Sequence, residues 1–291
     1  MEKLKFAVVG GDRRAAYAAQ WLIAKRYEVS VASLELSGII DPPHLAGVGE
    51  ALRDADVVLL PMPLVGADGR VFGEYSCDRP DPREVISKAK SGALLFAGRV
   101  SGEIAEYARR CGRELCDYFS REELQLKNAV PTAEGTIEIL MRRLPVTLAG
   151  SDIAVIGYGR TAQSLSDALR ALGACVTVWA RKPAALALAG TRGCGALNLS
   201  EFSERRRRYE AVINTVPAPV LAEAELRRLP RGCLVLDIAS ERGVSDEKAA
   251  SALGVEYERA LSLPGKAAPK TAGRIIIETV FEILRERGVC I

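Results

Sequence analysis

A glycine-rich hexapeptide, GYGRTA at residues 157–162, has the spacing that binds the pyrophosphate of a dinucleotide. Its first glycine permits a tight turn, its second lets backbone approach a phosphate, and its final alanine allows a helix to pack closely on a strand. A strand-like apolar run precedes it and an apolar pattern of helical period follows it. We therefore predict that a helix N-terminus here binds a cofactor through Gly157, Tyr158, Gly159, Arg160, Thr161 and Ala162. The alternative is a glycine turn in a domain that binds nothing.

Two cations stand where an NAD enzyme carries an acid. The ribose-binding Asp or Glu is expected about 20 residues past the fingerprint, at the end of the second strand. That place holds Arg181 and Lys182, just after Trp179, and no acid occurs between Asp167 and Glu201. A guanidinium pairs bidentately with a phosphate and an ammonium adds a point charge, so Arg181 and Lys182 predict NADP(H), NADPH in its reduced form, over NAD(H). Trp179 is expected to contact the same cofactor. Alternatively, both cations are merely exposed at a strand end.

The ends of two later strands face the same edge. Thr215, Val216 and Pro217 end the fourth strand of this unit, and we expect them on the nicotinamide side of the cofactor. Asp237 ends the following strand. The sequence leaves open whether that carboxylate caps backbone or belongs to a site.

Basic residues follow the first strand of the chain. In GGDRR, the glycines permit close approach of a ligand, and Arg13 and Arg14 suit carboxylates. Asp12 is in position to cap a helix, and both interpretations are compatible.

Two further stretches predict anion or substrate contacts. PTAEGT, at 131–136, is expected to begin a helix with Thr132 as N-cap, while its acid, Glu134, also suits a first helical turn. LPGKAAPKTAG, at 263–273, is expected to be a rigid loop that carries Lys266, Lys270 and Thr271 into a helix start.

Composition narrows the class of protein. The chain has 291 residues, enough for two domains, and a net charge of +3, too small to imply nucleic acid or an anionic membrane as partner. No apolar run approaches the ~20 residues that span a bilayer. The start lacks the pattern of a secretory signal, and the seven cysteines contain no C-x-x-C pair, so we expect a cytoplasmic protein without a metal site. The single histidine, His44, is expected at the surface.

Strand and helix patterns alternate along the whole chain, which predicts two doubly wound parallel sheets, the second of Rossmann type. We expect a flavodoxin-like substrate domain at 1–130 and a linking helix at 131–150. A Rossmann NADP-binding domain is expected at 151–268. The C-terminal helix, 269–291, is expected to return toward the first domain and leave a cleft between the domains.

Several motifs together resemble the A subunits of dipicolinate synthase. GGDRR, PTAEGTI, GYGRTAQSL, NTVP, DIAS and LPGKAAPKTAG occur in that family in this order. The second domain alone is similar to the NAD-binding domain of D-2-hydroxyacid dehydrogenases, but the late catalytic histidine of those enzymes has no counterpart here.

The resemblance implies an enzyme of sporulating bacteria that works in the cytoplasm of the mother cell. Its substrate would be dihydrodipicolinate, its product pyridine-2,6-dicarboxylate, and its partner a B subunit resembling flavin-binding decarboxylases. The two carboxylates of that substrate fit Arg13, Arg14, Lys266 and Lys270, with Thr132 and Thr271 beside them. Glu134 becomes the candidate base, because no histidine competes for the role.

Two other functions stay open. One is a non-catalytic NADPH-binding scaffold or sensor, and the other is a hydroxyacid or shikimate-type dehydrogenase. The sequence also leaves a homo-oligomer open.

Overall fold

The computed structural model of the chain describes residues 3–204 and 208–291. The chain divides into two compact units, the first formed by the residues up to Asn128 together with Ala268–Ile291, and the second by Ala129–Ala267. Residues 205–207 belong to the arginine run SERRRRYE, for which the sequence predicts a solvated helix end, and they lie outside the described residues.

The first unit contains a parallel five-stranded sheet in the order β2-β1-β3-β4-β5. Alternate residues of the first strand enter different cores, since Phe6 and Val8 lie in one apolar cluster and Ala7 and Val9 in another. Both faces of the sheet are therefore covered, as the apolar runs predict. The strands are β1 (Lys5–Val9), β2 (Glu28–Ala32), β3 (Val57–Leu59), β4 (Leu94–Ala97) and β5 (Glu114–Asp117).

The helices of this unit include the end of the chain. They are α1 (Arg13–Ala24), α2 (Val48–Arg53), α3 (Pro82–Lys88), α4 (Gly102–Arg110) and α11 (Pro269–Glu286). Helix α11 packs closely on α1: a Cβ atom on Gly273 would lie only 2.4 Å from the carbonyl oxygen of Arg14. Phe281 of α11 adds ring contacts to Phe6, Trp21 and Tyr27.

The second unit has a parallel six-stranded sheet in the order β11-β10-β9-β6-β7-β8, which is the Rossmann order. Its strands are β6 (Asp152–Ile156), β7 (Cys175–Ala180), β8 (Gly195–Asn198), β9 (Ala211–Asn214), β10 (Leu234–Asp237) and β11 (Glu256–Arg259). The prediction of two parallel α/β sheets is confirmed. Strand β8 was not predicted, because a short, half-exposed edge strand that begins with glycine carries no apolar run.

Around this sheet lie α6 (Arg160–Ala171), α7 (Pro183–Thr191), α8 (Glu223–Leu226), α9 (Glu247–Ala252) and α10 (Leu263–Ala267). The last of these was predicted as loop; LPGKA instead forms one short helix immediately before α11.

The helix predicted to begin at 131 begins earlier. Helix α5 runs over Glu122–Arg143 and contains Pro131 in its interior. The prediction that Thr132 caps a helix is therefore wrong, and its backbone is not part of a helix N-terminus. A proline in a helix interior removes one backbone hydrogen bond and crowds the preceding turn, which is why the sequence predicts a helix start here; the helix nevertheless continues through Pro131. In the described part of the chain, no helix is long and apolar enough to cross a membrane.

Candidate dinucleotide-binding site

The glycine turn after β6 depends on glycine for two reasons. Gly157 has φ of 91°, in the left-handed region, and its N–H donates to the carbonyl of Trp179 at 2.8 Å. A Cβ atom at this residue would lie 2.5 Å from Oγ1 of Thr215. The turn thus brings the loop after β9 directly against the fingerprint.

The second glycine of the fingerprint lies beside open space. Gly159 is the N-cap of α6, and a Cβ atom there would meet no heavy atom of the described residues within 4 Å. Arg160 and Thr161 form the first helical turn after it, whose N–H groups have no earlier carbonyl to bind within the helix. Ala162 is fully buried and packs the helix on the sheet. This geometry suits a pyrophosphate at a helix N-terminus.

Two predicted cofactor contacts turn out to be core residues. The Trp179 ring is 1% exposed, packs edge-on against Phe202, and donates its indole N–H to Tyr209 at 3.0 Å. Tyr158 is also buried, and burial raises the pKa of its phenol. The side chains of Trp179 and Tyr158 therefore build the domain, and only the backbone of Tyr158 belongs to the phosphate turn.

The two cations at the end of β7 are exposed. Arg181 follows the strand directly, and Lys182 is the N-cap of α7. Neither forms an ion pair with any residue that the structure describes, so both charges face solvent at the carboxyl edge of the sheet. Parallel strands of this fold present that edge to ligands.

Thr215, Val216 and Pro217 lie at the same edge, after β9. The Thr215 hydroxyl donates to the carbonyl of Ile156 at 2.7 Å, which fastens this loop to the strand before the fingerprint. Val216 is half-buried and Pro217 is exposed. The structure therefore places this loop directly against the fingerprint.

The basic motif after β1 is only partly available to a ligand. Asp12 caps α1 as expected, with its carboxylate accepting from the Arg14 N–H. Arg14 is buried; it pairs with Asp12 at 2.8 Å and donates to the Met62 carbonyl at 2.6 Å. Burial opposes its charge, but the hydrogen bond and the charge of Asp12 outweigh burial and raise the pKa of Arg14. The prediction that Arg14 binds substrate is thus corrected, whereas Arg13 is exposed.

Glu134 lies on the rim of an open apolar groove of about 670 Å³ between α5 and α6. The groove is lined by later residues of α6, including Ala168 and Ala171, and by no residue of the fingerprint. This position gives no support to Glu134 as the base of a reaction at the cofactor.

The remaining predicted substrate residues are distributed over both units. Thr132 and the exposed Lys266 belong to the second unit, while Lys270 and Thr271, also exposed, form the first turn of α11 in the first unit. In the described ranges, no cluster of three or more His, Cys, Asp or Glu side chains is arranged to hold a metal ion.

Sequence reasoning missed the partners of Asp237. This carboxylate is fully buried and accepts hydrogen bonds from Asn214, Gly243 and Tyr257. These residues lie on β9, in a loop and on β11, and nothing in their local sequence signals that they meet.

Comparisons with known proteins agree with this architecture. Residues 5–119 match the family model for the N-terminal domain of the A subunit of dipicolinate synthase. Over 291 residues, 97% of this chain and 96% of the relative, the sequence is 30% identical to the A subunit of dipicolinate synthase from Bacillus subtilis. The chain belongs to the family of dipicolinate synthase A subunits. The crystal structure of the family member from Bacillus halodurans superimposes with a TM-score of 0.85 at 28% identity, covering 97% of each chain.

More distant structures share only the fold of this family. A transhydrogenase from Sinorhizobium meliloti aligns with a TM-score of 0.70 at 16% identity, covering 97% of this chain and 94% of its own. The parallel α/β architecture therefore persists where most of the sequence has changed.

Proposed function

We propose that this chain is the NADP-dependent subunit of a dipicolinate synthase and oxidises dihydrodipicolinate to dipicolinate. The observation that carries the proposal is the 30% identity to the A subunit of such a synthase over 97% of the chain. The open helix N-terminus at Gly159 supports a nucleotide role, because it lies at the sheet edge where this fold binds dinucleotides.

The cofactor we propose is NADP⁺, which would accept a hydride from the substrate when bound. Arg181 and Lys182 would hold its 2′-phosphate, since both are exposed cations at the end of the second strand of the Rossmann sheet. Gly157 and Gly159 would hold the pyrophosphate. Thr215, Val216 and Pro217 would lie beside the nicotinamide half.

The substrate carries two carboxylates, which suits cationic and hydroxyl side chains. Arg13, Lys266 and Lys270, together with Thr132 and Thr271, are the candidates. The ring must lose a hydride and a proton, and aromatisation favours this loss. The protein's task is then mainly to orient the ring. Glu134 is not part of the proposal, because its groove lies along later turns of α6.

We further propose that a flavoprotein-like B subunit is the partner and that the cytoplasm of a sporulating mother cell is the compartment. A partner subunit is supported by the relative, which is itself named as one subunit of a synthase. The flavoprotein character of that partner and the compartment rest on the resemblance to the family.

The test is an assay for pyridine-2,6-dicarboxylate with dihydrodipicolinate generated in situ and NADP⁺ supplied. Purified wild-type chain is compared with a Gly157→Val variant, in which the added side chain would occupy the space of Thr215. We expect product and equimolar NADPH from the wild type and neither from the variant.

Each reaction is run with and without the partner subunit. Product that appears only with the partner, and without NADPH, would refute the proposed oxidation and leave this chain as a nucleotide-binding scaffold.

A further inference from the structure

A carboxylate is buried at the carboxyl edge of the Rossmann sheet with hydrogen bonds as its only support. Asp237 has no solvent exposure and forms no ion pair in the part of the chain that the structure describes. Its Oδ2 accepts from the Gly243 N–H at 2.7 Å and from the Tyr257 hydroxyl at 3.1 Å. Its Oδ1 accepts from the Asn214 amide at 2.9 Å and the Ala239 N–H at 3.3 Å. A charge buried in this way depends on every donor.

Asn214 connects this carboxylate to the loop after β9. Its Nδ2 donates to Asp237 and to the carbonyl of Val216, both at 2.9 Å, and its Oδ1 accepts from the Val216 N–H at 3.0 Å. The side chain is fully buried, so these are contacts that solvent cannot replace. Only an amide donates and accepts in this pattern, and it fixes the backbone at Val216, the centre of the 215–217 loop.

The loop after β10, residues 238–243, closes over the same pair. A Cβ atom on Gly243 would lie 2.0 Å from the Asn214 Nδ2, so only glycine fits there. The carbonyl of Ser240 accepts from the Arg259 guanidinium at 2.8 Å. The Gly243 carbonyl accepts from the Leu221 N–H at 2.9 Å, which joins this loop to the segment after residue 217.

The 215–217 loop packs directly against the fingerprint, so its position affects that of Gly157. Hypothetical Cβ contacts of 2.5 Å to Thr215 and 2.9 Å to Val216 show how tightly this loop rests on Gly157. In a sheet of this order, a dinucleotide crosses the crevice between the first and fourth strands, here β6 and β9. The strands β9 and β10 carry the half that receives the second mononucleotide.

We propose that Asn214 and Asp237 are positioning residues for the nicotinamide half of the cofactor. They hold loops 215–217 and 238–243 in one arrangement, and they act through those loops without touching the ligand. The inference rests on the proposed cofactor role. It states that this pair determines how tightly the nicotinamide half of that cofactor binds. The adenosine half, held at Gly159 and Arg181, is independent of it.

Binding of two probes tests the proposal. One is NADPH, and the other is 2′-phospho-ADP-ribose, which lacks only the nicotinamide ring. Asp237→Asn keeps the size of the side chain but turns one acceptor into a donor that faces other donors. We expect it to weaken NADPH binding about 10-fold or more, as for a lost hydrogen bond to a buried charge. Affinity for 2′-phospho-ADP-ribose should change less than about 2-fold.

Asp152→Asn is the matched control. Asp152 is an exposed carboxylate at the start of β6, the opposite edge of the same sheet, and its substitution should alter neither affinity. If Asp237→Asn does not fold, Tyr257→Phe decides the question, since it removes one donor and retains the ring. We expect this variant to bind NADPH about 3-fold more weakly and to bind 2′-phospho-ADP-ribose as the wild type does.

The positioning role would be overturned if the variant that folds lost affinity equally for both probes, or if it lost no affinity for NADPH. In either case, binding of the probes by the wild type would leave the cofactor role intact. Failure of the wild type to bind either probe would overturn the proposed cofactor and this inference with it.

Discussion

Arg14 and Asp12 form a buried ion pair in which Nη2 and Oδ2 are 2.8 Å apart, each side chain being 7% exposed. The guanidinium also holds the carbonyl of Met62, so one charge joins the start of α1 to the loop after β3. Loss of one partner leaves the other buried and uncompensated, which typically costs about 3–5 kcal/mol. We expect Asp12→Asn, which retains the helix cap but removes the charge, to lower the free energy of unfolding by about 3 kcal/mol.

Urea denaturation followed by circular dichroism measures this loss. Arg13→Ala is the control, because the neighbouring arginine is exposed and its substitution should stay within about 0.5 kcal/mol of wild type. A loss below about 1 kcal/mol for Asp12→Asn would show that the pair adds little.

Replacement of glycine by alanine should lower the stability of the protein in one helix and raise it in another. In α11 a Cβ atom on Gly273 would lie 2.4 Å from the Arg14 carbonyl oxygen and 3.1 Å from the Ala18 nitrogen. Both are backbone atoms, so α1 and α11 must separate, and we expect a loss of about 2 kcal/mol. In α7, Gly190 is exposed with no atom of the described residues within 4 Å of its added Cβ, so alanine should gain up to about 1 kcal/mol.

Thermal unfolding of the two variants checks both signs. A rise in Tm for Gly273→Ala would mean that the helix pair is less tightly packed than described. A lower Tm for Gly190→Ala would mean that the added methyl group on α7 meets neighbouring atoms.

Local patterns predicted the strands well, because buried parallel strands are continuous apolar runs such as AVI at 154–156. The fingerprint was also predictable, since its glycines are adjacent in sequence and act locally. The burial of Arg14 was not predictable, because Asp12 is its neighbour but Met62 lies 48 residues away. The same holds for Asp237 and Tyr257, which meet only through the pairing of β10 with β11. The burial of Trp179, predicted as a cofactor contact, was not predictable either. An aromatic residue at the end of a strand has the same sequence pattern whether it faces the core or a ligand.

Cofactor choice provides a direct test of the cations after β7. We expect Arg181→Ala to weaken NADPH binding about 10- to 100-fold and to leave NADH binding nearly unchanged, because only NADPH carries the 2′-phosphate. Fluorescence titration of the reduced cofactors measures both affinities. Arg228→Ala removes an exposed cation of the same unit far along the chain and should change neither. Equal affinity of the wild type for NADH and NADPH would contradict this assignment.

The buried thiol of Cys233 should make stability depend on alkaline pH. Burial, aided by the charge of Glu210, raises the pKa of this thiol to about 12, whereas an unfolded cysteine titrates near 8.5. Below about pH 8 the thiol is protonated in both states and contributes no pH dependence. As the pH rises above about 8.5, only the unfolded chain releases the proton, so the free energy of unfolding falls by up to about 1.4 kcal/mol per pH unit.

Comparison of Cys233→Ala with wild type isolates this contribution from other groups that titrate in the same range. Urea denaturation at pH 8 and pH 10 measures the free energy of unfolding. Between these two values, the variant should lose about 2 kcal/mol less of this free energy than the wild type does. Cys175→Ala, at an exposed cysteine, should retain the wild-type fall. If Cys233→Ala and wild type lose the same stability over this interval, the Cys233 thiol is not held protonated by the folded chain.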